Sequence, residues 1–240
     1  MDECVTISAS KIKFNYKFLF NSGEEAEFNI KLDRFSLNLL PTGEIFRPQW
    51  TKLNCCKCPN CALDERQHEF CPIAVNLVEI IDYFSIFPSS EPVEVIVTTD
   101  ERTYSKQAPL QQGVSSMLGI YMVTSGCPVM EKLKPMVRFH LPFATIEETV
   151  YRAISMFLVS QYFICRHGGQ AEWNLKKLSN VYDDINIVNQ SFYKRLRTID
   201  TKDANLNAIV VLDYFAKGVN LSIDSRAVDD LCYLFEGYIK

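Results

Sequence analysis

The chain has 240 residues, 48% of them hydrophobic, with a formal net charge of −4 and a pI near 5.5. That is enough apolar material for one large domain or two small ones, and its basic residues are too scattered to make a nucleic-acid surface. The acidic, polar start MDECVTISASKIKF lacks the basic and apolar regions of a secretory signal, so a cytoplasmic location is expected.

Ile12, Phe14, Tyr16, Phe18 and Phe20 alternate with Lys11, Lys13, Asn15 and Lys17, the period of a half-buried strand. After the turn residues NSGEE, Phe28, Ile30 and Leu32 alternate in the same way, which predicts an antiparallel hairpin. A cysteine-rich segment, 54–72, then leads to Pro72. Proline suits a first helical turn, and Ile73, Leu77, Ile80, Ile81 and Phe84 fall on one face behind it. The break FPSSEP precedes a third strand over residues 93–99.

From Gln111 onward the pattern is helical, with helices expected over 114–123, 128–134, 145–166, 174–198, 203–217 and 226–236. The third opens with the capping box TIEE and closes with HGG. Its apolar run, 153–165, is shorter than the ~20 residues of a membrane span, so no membrane partner is expected. In the next helix Leu175, Leu178, Tyr182, Ile185, Val188, Phe192 and Leu196 are expected to form a core-facing stripe. The fold class expected is α+β: a small N-terminal antiparallel sheet with a Cys-rich metal-binding insertion, packed on a larger C-terminal helical part. Residues 1–110 and 111–240 would be the two parts of one compact unit.

Five of the nine cysteines lie in residues 54–72. In a reducing compartment such usage points to metal ligands and inert core thiols rather than disulfides. Cys58-Pro59-Asn60-Cys61 has the spacing of a metal knuckle, and Pro-Asn is good turn chemistry. Cys71 and Cys127 each precede a proline that starts an expected helix, a position that favours thiolate. The expected centre is therefore zinc held by Cys58, Cys61, Cys71 and Cys127, with His68 as an alternative fourth ligand. Cys55, Cys58 and Cys61 also make C-x2-C-x2-C, so a [4Fe-4S] cluster is the alternative cofactor, although the gap before Cys71 is long for a ferredoxin run.

A second candidate is KPMVRFHLPF, residues 134–143. On an extended segment Arg138 and His140 would point the same way, toward a small anionic ligand or a protein partner. Cys127 lies eleven residues before Arg138, so a small enzyme with Cys127 as nucleophile is the rival function. Cys165 and His167 read as a helix terminus, and Cys4 and Cys232 have no partner by spacing. No Gly-rich phosphate loop, HExxH or GxSxG occurs.

Through CPNC at 58–61, CP at 71–72, ERTYSK at 101–106, TSGCP at 124–128, RFHLPF at 138–143 and DANLNA at 203–208, the chain resembles a family of uncharacterised bacterial proteins, a domain of unknown function. The resemblance covers most of the chain. It implies a pattern that includes Cys58, Cys61, Cys71 and Cys127 but not Cys55 and Cys56, and it implies no catalytic residue.

Overall fold

The computed structural model describes residues 11–40, 43, 46–199, 202–225 and 227–239. Cys4 lies outside the described residues. Strands β1 (Lys11–Phe20) and β2 (Glu25–Asp33) form the expected hairpin, with Phe14 opposite Ile30 and Tyr16 opposite Phe28. β3 (Pro92–Thr99) pairs with the other side of β1, and β4 (Thr103–Pro109) completes an antiparallel sheet of order β2-β1-β3-β4. The alternation of β1 is realised fully: Ile12, Phe14, Tyr16, Phe18 and Phe20 are all buried. β4 is an addition to the sequence reading. Only Ala108 of its residues is buried, so it carries no apolar alternation, and its Lys106 and Pro109 suit an edge strand.

Helix α1 (Pro72–Phe84) begins at the expected proline and buries Leu77, Ile81 and Phe84 in the core. The Phe84 ring sits 5.1 Å from Phe18 and 5.4 Å from Phe28, an aromatic cluster that fixes the helix to β1 and β2. α2 (Leu110–Val123) follows β4 directly and is buried over most of its circumference, between the sheet and the later helices. Gly113 allows its closest approach, because a Cβ there would come within 2.7 Å of the Phe18 and Val95 side chains.

A 3-10 turn, Met130–Leu133, then α3 (Lys134–Arg138), α4 (Ile146–Arg166), α5 (Lys176–Leu196), α6 (Asp203–Asp224), a 3-10 segment Ala227–Phe235 and α7 (Glu236–Ile239) build the larger helical part. The single helix expected over 128–134 is thus a 3-10 turn followed by α3. Pro135 has no N–H for the carbonyl one turn back, and it sits instead in the first turn of α3. The segment expected as one helix over 226–236 is mostly 3-10. α4 has its expected capping box: Glu148 N donates to Thr145 Oγ1 at 3.2 Å, and Thr145 N donates to Glu148 Oε2 at 2.7 Å. Gly168, at φ +79°, ends it.

The polar residues at the start of α6 dock it on the α1–β3 connection. Asp203 accepts from Ser89 N (2.8 Å) and Ser89 Oγ (2.9 Å), Asn205 Nδ2 donates to Ile81 O (2.9 Å), and Asn207 Nδ2 donates to Ser89 Oγ (2.8 Å). One hydrophobic core runs from β1 through α1 and α2 to α5 and α6. α6 is long and apolar enough to cross a membrane by length and composition, and here it packs on α2 and α5.

Gly113→Ala tests the flush packing of α2. In an open helix the change would stabilise by up to about 1 kcal/mol; here overpacking against Phe18 and Val95 costs about 1–3 kcal/mol. A lowered midpoint in urea unfolding is the expected result, and a raised midpoint would refute the close approach.

Candidate metal centre

The cysteine segment is a loop clasped at its base. Leu53 N donates to Glu69 O and Cys71 N to Thr51 O, each at 2.8 Å, so residues 54–70 leave and return at one place beside α1. Within it Cys61 N donates to Cys58 O at 3.0 Å, closing the turn over Pro59 and Asn60. Asn60 Nδ2 ties that turn to α5 through Asp184 O (3.0 Å) and Asp184 Oδ1 (3.2 Å). Cys71 is the N-cap of α1 and makes no side-chain capping hydrogen bond, although the nearby amides of Ala74 and Ile73 act to lower its pKa. Cys127 follows Gly126, whose φ of +90° makes the bend, and the amides of Met130 and Val129 donate toward its sulfur. The chain thus aims backbone N–H groups at two thiols far apart in sequence.

Cys58, Cys61, Cys71 and Cys127 all line one cavity of about 20 Å³. That is room for roughly one water-sized occupant. Arg195 of α5 lines the same cavity. It is only 2% exposed, and its Nη1 donates to Trp50 O and Lys52 O at 2.6 Å each while Nη2 donates to Leu53 O at 3.4 Å. Among the described residues no carboxylate forms an ion pair with it.

Burial pushes the Cys58 thiol up to about 11, with the sulfurs of Cys71, Cys61 and Cys127 adding to the rise and a hydrogen bond to Ser191 opposing it. Burial also raises Cys71 and Cys127, more than their amide donors lower them. The expectation that the helix starts alone favour thiolate is thereby corrected: desolvation wins, and these thiols are protonated near pH 7 unless a cation joins them. Among the described residues no three His, Cys, Asp or Glu side chains stand gathered as a metal-ligand group, so the four thiols share a cavity without standing at ligand spacing. The donor chemistry fits a thiophilic ion: four thiols on one small cavity, amides for their sulfurs, and a buried cation beside them.

The other cysteines lie elsewhere. Cys56, at φ +54°, is hydrogen-bonded to Cys55, and neither lines the cavity; nor does His68, which is exposed. Cys165, His167 and Cys232 are exposed, and the eight described cysteines are free thiols.

Residues 134–143 are not the extended segment expected. α3 runs to Arg138, whose guanidinium lies 5.5 Å over the Phe139 ring, while His140 lines a separate cavity that Arg138 does not. His140 Nε2 is 2.6 Å from the Tyr16 hydroxyl, which is 2.8 Å from Ser116 Oγ. Burial first, and Arg152 second, push His140 down to about 3. The cation beside His140 is therefore Arg152, and Cys127 faces the thiol cavity instead. Arg195 had a legible signal that the sequence reading passed over, since it follows Val188 by seven residues and Phe192 by three on the core stripe. Arg152 had none.

The model of a family described as a domain of unknown function, DUF6901, matches residues 14–236. No curated protein and no solved structure matches the chain.

Two measurements check this geometry. In metal-free protein at pH 7, iodoacetamide followed by peptide mass mapping is expected to label Cys165 and Cys232 first and Cys127 among the slowest; rapid labelling of Cys127 would mark it as a reactive nucleophile. The second uses pH. Between about 6.5 and about 3 the unfolded chain binds a proton at His140 that the folded chain does not. Its stabilising contribution is complete above that window and is lost as pH falls through it, with a slope approaching about 1.4 kcal/mol per pH unit. His140→Asn is expected to show a correspondingly shallower acid limb in urea melts at stepped pH, and an unchanged limb would refute the buried neutral imidazole.

Proposed function

The chain belongs to the DUF6901 family, and we propose that it is a metal-binding protein in which Cys58, Cys61, Cys71 and Cys127 hold one zinc ion. The ion would tie the cysteine loop and the N-terminal sheet part to a helical part that serves interaction or ligand binding. The observation that carries this reading is Arg195. A zinc ion with four thiolates has two net negative charges, and a buried guanidinium without a carboxylate is the counter-charge such a centre needs.

Zinc takes four sulfur ligands readily, and short Cys-x2-Cys turns supply two of them. Here the loop turn gives Cys58 and Cys61, the start of α1 gives Cys71, and the α2–α3 connection gives Cys127. The amides of Ile73, Ala74, Val129 and Met130 would stabilise the thiolate form of the last two. A cavity of about 20 Å³ favours a single ion over a multi-atom iron–sulfur cluster, and Cys55, which a C-x2-C-x2-C cluster motif would use, is not on it. No observation favours the enzyme reading, because Cys127 is apart from His140 and Arg138 is apart from both. Loop residues 54–70 bury little apolar surface of their own, so metal binding would supply much of their folding free energy.

Elemental analysis of anaerobically purified protein is expected to give one zinc per chain. Cys71→Ser is expected to lose the metal and lower the thermal midpoint, and Arg195→Lys, which keeps the charge but not the planar fork, to weaken zinc binding by about tenfold or more. Stably folded protein without metal, with all four thiols reduced, would end the reading.

A further inference from the structure

The second cavity is large, about 470 Å³, within the range of roughly 300–1,000 Å³ typical of small-molecule sites. It lies among α2, α3, α4, α5 and α6, and side chains such as Met130, Val137, Leu141, Ile185 and Phe215 make its walls largely apolar. Two cations, Arg152 and Lys106, line it, while among the described residues no Asp or Glu does, in a chain whose net charge is −4.

Of the two cations, Arg152 is the one anchored by hydrogen bonds. Its Nη2 donates to Met136 O (2.9 Å) and Phe139 O (2.7 Å), which fixes the guanidinium in place, yet among the described residues it has no ion-pair partner. The carboxylate one turn before it, Glu148, is committed to the cap of its own helix. Beside Arg152 the buried Tyr182 hydroxyl has no hydrogen-bond partner among the described residues, and the Oδ1 of Asn189, 2% exposed on the same cavity, has none either. His140 beside it is a neutral ring against Tyr16 and adds no charge to the cavity. A half-buried cation on an apolar cavity favours an anion, and a guanidinium fork matches a carboxylate.

We propose that this cavity binds a monocarboxylate with an apolar body, such as a medium-chain fatty acid, its carboxylate on Arg152 and Tyr182 and its chain along the apolar walls. The site is independent of the thiol centre. The carboxylate takes the free face of the Arg152 fork and the Tyr182 proton, and the Asn189 amide oxygen is a further polar point on the same cavity.

The test uses the full chain, with 11-(dansylamino)undecanoate as fluorescent probe and decanoate and decanol as competitors. Saturable probe binding is expected, with decanoate displacing the probe at about tenfold or more lower concentration than decanol. Arg152→Met is expected to remove that difference by weakening decanoate alone. Tyr182→Phe, which keeps the ring, is expected to weaken decanoate severalfold and leave decanol unchanged, so the proposal stays testable if Arg152→Met fails to fold. Absence of saturable binding, equal displacement by decanol, or full decanoate affinity in folded Tyr182→Phe and Arg152→Met would overturn it. The comparison reads the same with or without zinc, so its failure and that of the metal reading are distinguishable.

Discussion

A guanidinium taken out of water must be both hydrogen-bonded and electrically offset, and Arg195 meets the first demand with three carbonyls from residues 50, 52 and 53. Each such charge-assisted bond contributes about 1.5–3 kcal/mol, so the entry to the cysteine loop is pinned to α5 by this one side chain. The second demand turns the structure toward chemistry. Among the described residues that line the Arg195 cavity, the groups that can take a negative charge are the four thiols, and burial raises the pKa of Cys58, Cys71 and Cys127. The loop, the start of α1 and the α2–α3 connection therefore meet at one cavity that joins four thiols to a buried guanidinium, and the zinc proposal rests on that meeting.

Everything that positions that point is ordinary folding physics. The apolar face of β1 sets the sheet, the Phe18–Phe28–Phe84 cluster sets α1 and so Cys71, and the flush approach at Gly113 sets α2 and so Cys127 beyond its end. Asn60 and Arg195 bring α5 to the loop from the other side. Two cavities flank the helical part: the smaller carries sulfur and the buried Arg195, the larger carries apolar walls and the half-buried Arg152.

Strong periodicity was legible before any coordinates. The β1 and β2 alternation, the proline start of α1, the capping box of α4 and the stripe of α5 each repeat a local rule several times, and each element stands where the pattern puts it. β4 was hidden because an edge strand need not alternate, and the 128–134 segment misled because Pro135 interrupts the helical ladder. The four cysteines could be grouped from turn spacing and the two Cys-Pro steps. Their counter-charge was visible only as an arginine on an apolar stripe. The pairing of Arg138 with His140 failed because two residues apart means one face on a strand and different directions at a helix end. Arg152 meets His140 only through tertiary packing, which no sequence spacing encodes.

The central claim is that sulfur from three separated chain segments surrounds one zinc ion. Zinc-edge X-ray absorption on the anaerobically purified protein addresses it directly. The account predicts a single shell of four sulfurs at about 2.3 Å, falling to three in Cys127→Ser. A shell of nitrogen and oxygen ligands, or four sulfurs retained without Cys127, would contradict it.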